Sequence, residues 1–185
     1  KYVDVNKDGV YNDADQGIIG CGQPTFNWGW NNTFNYKNFD FSFFVVGFHG
    51  FDIYNATHQM GYNLIKSQQM AGVTPMRELL NRWTPTNTNT DIPGFVKGGT
   101  ENKDFFSTRF VENGSFIKMK SITLGYTLPE ATCRSLGINN LRVYASVQNP
   151  FHITKYSGLD PEATMGSPLV QGVDWGAYPN RRNYL

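Results

Sequence analysis

The chain has 185 residues, 39% of them hydrophobic, 15% aromatic and 17% charged, with a net charge of +1. That is enough for one domain with a real core, and with no basic cluster longer than Arg181-Arg182 no electrostatic case exists for nucleic acid. Many aromatics and glycines without a long apolar run argue against disorder and transmembrane helices, yet permit a β-barrel, whose residues alternate.

Residues 4 to 15 read DVNKDGVYNDAD, which fits the calcium-loop pattern D-x-[DN]-x-[DN]-G-x5-[ED]. Asp4, Asn6 and Asp8 take the first, third and fifth places, and Gly9 the bend. The Val10 carbonyl, Asn12 and Asp15 take the seventh, ninth and twelfth. Alternating short oxygen side chains around a glycine bend suit a hard cation that collects about six to eight oxygens. Aspartate in the last place reaches less far than glutamate, so affinity is expected to be low. No amphipathic helix pair flanks the loop, and the bland alternative is an Asx-rich turn without an ion.

From Thr25 to His49 the chain reads as a hairpin of two extended runs. Phe26, Trp28, Trp30, Phe34 and Tyr36 share one face of the first run, and Asn27, Gly29, Asn31, Thr33 and Asn35 the other. Asn32 breaks the aromatic row. A tight turn is expected at Lys37-Asn38, followed by a second run from Phe39 to Phe48. Phe39, Phe41, Phe43 and Val45 share one face of it. The opposite face starts with Asp40 and Ser42 and turns apolar at Phe44, Val46 and Phe48. Soluble hairpins more often bury valine, isoleucine and leucine. Rings on one face and small polar groups on the other suit a strand between lipid and a wet lumen. Each run has about the 9–11 tilted residues that cross a bilayer. A half-buried hairpin of a soluble β-sandwich would show the same alternation.

Residues 50–114 lack sustained alternation. A helix is expected after Asn55 and a better one from Thr74, with Thr74 as N-cap and Pro75 at the first helical position. TNTNTDIPGF then reads as irregular. The third strand is Ser115 to Leu128, where Ile122, Leu124 and Tyr126 alternate with Ser121, Thr123 and Gly125. Lys118 and Lys120 blur the parity upstream, through a bulge or through emergence from a membrane. After a short connection from Pro129 to Asn139, the fourth strand runs from Asn140 to Asn149. There Leu141, Val143, Ala145 and Val147 alternate with Arg142, Tyr144, Ser146 and Gln148. Residues 150–185 show no strand.

Connections thus alternate short and long, as in an outer-membrane barrel. The reading is all-β: an antiparallel transmembrane β-barrel fragment of about four strands, with long extracellular loops containing short helices. Its parts are loop 1–24, hairpin 25–49, loop 50–114, hairpin 115–149 and loop 150–185. Four strands cannot close, and open edges are not tolerated in lipid, so other strands must complete the wall.

The order of these pieces resembles the C-terminal barrel region of the SusC-like (SusC/RagA) branch of the TonB-dependent transporters. The residues that carry it are DVNKDGVYNDAD, TFNWGWNNTFNYKNFDFSFFVVG, NRWTPTNTNTDIP, STRFVENGSFIKMKSITLGYTLP, INNLRVYASVQNPFHITKYSGLDPE and GVDWGAYPNRR. The resemblance implies a large plugged barrel in the outer membrane of a Gram-negative bacterium, importing glycans or peptides. It further implies energy from the TonB complex, through an N-terminal region with no match here, and a SusD-like surface lipoprotein over the extracellular loops. No match is found for the plug, and the usual last strand after Arg181-Arg182 is expected to be absent.

On this reading Asn27, Asn31, Thr33, Asn35, Arg142, Tyr144 and Gln148 line the lumen. Trp83, Tyr156 and Trp175 are candidate sugar-stacking or lid-contact rings, with loop packing as the bland alternative. Calcium at Asp4–Asp15 would stiffen a surface loop. The second hypothesis is a soluble calcium-dependent carbohydrate-binding β-sandwich module. No nucleophile motif, P-loop or dinucleotide fingerprint is present, and no enzyme is expected. Cys21 and Cys133 fall at opposite ends of the strands and are expected not to pair, since a disulfide needs Cα atoms within about 7 Å.

Overall fold

The structure is a computed structural model and describes residues 3–10, 13–62, 75–94, 106–165 and 171–185. The aromatic hairpin forms as the alternation requires, with β1 at Phe26–Tyr36 and β2 at Phe39–His49. Tyr36 pairs with Phe39, so the turn is two residues long, and Lys37 adopts a left-handed φ of 53°. Then come β3 (Asp52–Asn55), β4 (Val111–Asn113), β5 (Phe116–Thr127), β6 (Arg142–Gln148), β7 (His152–Thr154), β8 (Val173–Asp174) and β9 (Asn183–Tyr184).

The wall is one sheet in the order β1-β2-β5-β6-β9, with β7 beside the upper part of β5. All of its pairings are antiparallel. The register brings the even residues of β1 onto one face with Phe39, Phe41, Phe43 and Val45 of β2. Ile122, Leu124 and Tyr126 of β5 and Val143, Ala145 and Val147 of β6 join them. Rings interlock along this outer face: Trp30 meets Phe43 edge-on at 5.2 Å and Phe39 meets Tyr126 at 4.6 Å. The face stays open, with Phe26 59% and Trp30 54% exposed. A β-sandwich would cover such a face with its second sheet, so the soluble-module reading does not fit.

The blurred parity of β5 is a bulge. Phe44 pairs with Ser121 but Val45 pairs with Met119, which leaves Lys120 as the extra residue. Bulges bend a strand and re-aim its side chains. Here the outer-facing set switches from Ile122 to Met119 and Ile117, and both lysines turn inward. On the other side of β5, Asn149 (φ 49°) and Pro150 separate β6 from β7 at the same level.

Above the bulge a second layer lies on the inner face. β4, β3 and β8 form a three-stranded sheet, with β3 and β8 parallel, and helix α1 (Ala56–Tyr62) follows β3. The core of the molecule sits between the layers, where Val46, Phe51, Ile53, Phe116 and Tyr156 are buried and Phe48 and Met165 pack against them. This explains two of the three apolar side chains of β2 that face inward: Val46 and Phe48 serve a packed loop. Phe44 stays partly exposed, its ring lying over Gly29.

Three expectations are corrected. Residues 50–114 and 150–185 are not free of strands, because β3, β4, β7 and β8 tie them to each other and to the wall. The helix expected from Thr74 is a five-residue 3-10 turn, Arg77–Asn81, entered from Met76 without a side-chain cap; Thr74 itself lies outside the described residues. A strand after Arg181-Arg182 is present, since Tyr184 pairs with Val147 and Asn183 with Gln148. The Pro129–Asn139 connection holds a short helix, α2 (Glu130–Ser135). Cys21 and Cys133 are both free thiols.

Candidate functional site

The inner face of the wall has two parts, divided by the bulge. Below it the side chains are small and polar. Asn31, Thr33 and Asn35 of β1 and Arg142, Tyr144 and Gln148 of β6 share this face with Ser42, Ser121 and Thr123, whereas Asn27 stands above the bulge, opposite Phe48. Thr123 Oγ1 and Ser146 Oγ are 2.8 Å apart. One ion pair crosses a whole strand. Arg142 donates from Nε to Asp40 Oδ1 at 3.0 Å and from Nη2 to Oδ2 at 2.6 Å. The pair passes over Gly125, where a Cβ would collide with both partners, so a residue without a side chain is what permits it. The Arg142 guanidinium also lies 5.2 Å from the Tyr144 ring centroid.

Above the bulge the inner face is covered, and charge holds the cover. Lys118 Nζ donates to Asp160 Oδ2 at 2.8 Å and to Glu162 Oε2 at 2.7 Å, and Lys120 Nζ donates to Glu162 Oε1. The Lys118 and Asp160 side chains are 2% and 3% exposed, so neither charge is shared with bulk water. Asn180 donates its backbone N–H to Asp160 and its side-chain amide to Glu162. Burial would push both carboxyls up, but the hydrogen bonds from Lys118 and its neighbours outweigh it and hold both below the usual carboxylate range.

Two further locks fix the same segment. Glu112 of β4 accepts from Asn55 Nδ2 at 3.0 Å, Ser157 Oγ at 2.7 Å and Ser157 N at 2.8 Å, with His58 Nδ1 3.5 Å away. Tyr156 donates its hydroxyl to Asp174 at 2.5 Å. Asp174 in turn accepts from Gly176 N and Ala177 N, which sets the backbone on either side of Ala177. Burial and the Asp174 carboxylate push the Tyr156 phenol far up, so it stays a donor.

These contacts place the expected ring contacts. Trp83 and Trp175 are exposed on the loop layer. Tyr156 is not available to stack on a ligand, because its ring is buried in the core and its hydroxyl is spent on Asp174. In the first loop, Asp4 accepts from Lys7 N and Gly9 N, Asp8 from Val10 N, Asn6 from Asp8 N, and Asp15 from Val5 N. Lys7 and Gly9 have left-handed φ values of 62° and 83°, so the backbone wraps around its own oxygens. Asn12 lies outside the described residues, and among the described residues no three His, Cys, Asp or Glu side chains stand together as a metal cluster. The side-chain oxygens of Asp4, Asp8 and Asp15 accept from the loop's own backbone amides.

No family model matches the sequence. The TonB-dependent receptor P3 of Formosa agariphila is 35% identical over 189 residues, which cover 99% of this chain and 18% of that protein. The TonB-dependent receptor SusC of Bacteroides thetaiotaomicron is 31% identical over 186 residues, covering 100% of this chain and 17% of SusC. The solved RagAB peptide transporter superposes with a TM-score of 0.77 at 26% identity, over 95% of this chain and 18% of that one. Over nearly its whole length the chain is homologous to a stretch of TonB-dependent receptors of the SusC type. It spans less than a fifth of the length of these relatives, and its sheet is a fragment of a TonB-dependent barrel wall.

The stretches that carry the resemblance have physical roles in this wall. SFIKMKSITLGY carries the lysines and the bulge, KYSGLDPE carries the acids that meet them, and GVDWGAYPN supplies Asp174 and Asn180. Reading the sequence had missed Lys118, Lys120, Asp160, Glu162 and Glu112 as a working set. A signal was present: two lysines two residues apart in an apolar strand, and two acids two residues apart in a loop. The relatives are named as receptors and a transporter, and none as an enzyme.

Proposed function

We propose that this chain forms wall and outer rim of an active importer in the outer membrane of a Gram-negative bacterium. The importer carries glycans or peptides, draws energy from the TonB complex through a region outside this chain, and works with a SusD-like surface lipoprotein. The observation that supports this best is the sheet itself, with an open aromatic and aliphatic outer face, a polar inner face, and the same arrangement in a peptide transporter. Strands with those two faces need lipid on one side and water on the other. Trp83 and Trp175 are the rim rings placed to meet a sugar or the lipoprotein.

The full-length protein is expected in the outer-membrane fraction, in complex with a SusD-like lipoprotein. Recovery as a water-soluble protein would rule this reading out. In the first loop, Asp4, Asn6, Asp8, Asn12 and Asp15 with the Val10 carbonyl would hold calcium, which would stiffen the loop by tying both its ends to one ion. Isothermal titration with calcium should give binding heat that Asp8→Ala removes; no heat from the unsubstituted protein would remove the ion from the account.

A further inference from the structure

Buried charges are an expensive way to hold one surface on another. Each ion loses its water, and the mutual attraction only partly restores the loss, so an apolar contact of similar volume is often as stable or more so. The wall uses apolar contacts elsewhere, at Val46, Phe51 and Phe116. Over Lys118 it does not. Two lysines meet two carboxylates there, charge for charge, and the neutral Asn180 amide completes the set. Both acids come from one short segment, residues 160–164, flanked by Tyr156 and Met165, which pack in the core. It lies on the inner face of the wall. Directly below it, across the bulge, the inner face is open and polar.

A polar contact of this kind differs from an apolar one in how it fails. Removal of one partner leaves the other charge buried and alone, which favours the state in which that charge reaches water. The hold is therefore all-or-none in charge, whereas an apolar contact weakens by degrees. We propose that Lys118 and Lys120 are a latch that holds residues 160–164 over the inner wall, and that this segment is a cover that lifts when the charge match is broken, while Tyr156 and Met165 stay anchored in the core. The proposal rests on the reading of the chain as barrel wall.

The test uses the full-length receptor in its outer membrane, in a Cys21→Ser background, with Thr164→Cys as the reporter. Thr164 is a buried residue of the segment itself, so a membrane-impermeant maleimide labels a thiol there only when the cover lifts. Lys118→Met keeps the length of the side chain and orphans Asp160; labelling is expected to speed up about tenfold or more. Adding Asp160→Asn removes the orphaned charge and should return the rate close to that of the parent. An unchanged rate in Lys118→Met, or a double variant as fast as the single, would show that packing alone holds the segment and would overturn the latch. Where Lys118→Met is not recovered in the membrane, Asp160→Asn with Glu162→Gln breaks the same match from the acid side. It should give the same rise, and an unchanged rate would overturn the proposal equally. The barrel reading fails separately, through fractionation, before any labelling rate is compared.

Discussion

The two halves of β5 pose opposite problems to one strand. From Ser121 to Thr127 its inner side meets Ser42, Ser146 and an open ion pair, and no second layer of the described residues covers it. From Phe116 to Lys120 its inner side meets a core and a buried charge cluster. The outer side is apolar throughout, open at Leu124 and partly exposed at Ile117, Met119, Ile122 and Tyr126. The difference teaches what the bulge is for. A strand with unbroken period two keeps one face constant, whereas an extra residue at Lys120 lets two inward residues follow one another. The dry upper half and the wet lower half can then each have the partners they need while the outer face stays apolar.

The largest loss is expected in the dry half. Phe116 is buried against Phe51 and Phe48, and Phe116→Ala should cost about 3–5 kcal/mol, read as a fall in the thermal midpoint of the barrel in detergent. On the outer face below the bulge, Leu124→Lys puts a charge into lipid and should cost about 2–4 kcal/mol near the midplane. The same change at Asn31, on the inner face, should cost far less. Equal losses at Leu124 and Asn31 would break the distinction between the faces.

A pH titration separates the two halves more gently. The Asp160 and Glu162 carboxyls are held low in the folded state by Lys118, Lys120 and Asn180. A carboxyl with a depressed folded pKa adds stability above its ordinary range and loses it as pH falls through the folded pKa. The protection factors of residues 160–164, exchange corrected for its intrinsic slowing at low pH, should therefore fall under acid, while those of the ladder between β1 and β2 hold. The smallest effect belongs to the wet half. Gly125→Ala would push a methyl into the Asp40–Arg142 pair and should part it, visible as faster exchange at the β5–β6 ladder with little change in overall stability, because the pair is partly exposed.

The long wall strands were legible in the sequence because each holds enough residues to display its period. β1 and β2 run 11 residues each, and their turn is marked by Lys37-Asn38 between two aromatic runs. The polar inner face followed from the same alternation. The loop layer was not legible, for two physical reasons. β3 has four residues and β8 has two, too few for a repeat to show. Their pairing also joins chain segments far apart, Tyr54 with Val173, which no local pattern encodes. The latch shows the same limit: the oddity of Lys118 was visible, but its partner stands 42 residues later. Tyr156 was misassigned because an aromatic in a loop reads alike whether it stacks on a ligand or fills a core.

The most direct test is a nitroxide scan of β5 from Phe116 to Thr127 in the full-length receptor in bilayers. Contact with oxygen, which dissolves in lipid, and with a water-soluble paramagnetic reagent is measured at each position. Oxygen contact should peak at positions 122, 124 and 126, change phase across Lys120, and peak again at 119 and 117. Water contact should be high only at the inner positions below the bulge. An unbroken period through Lys120, or no lipid-exposed position at all, would contradict a membrane wall divided into wet and dry halves.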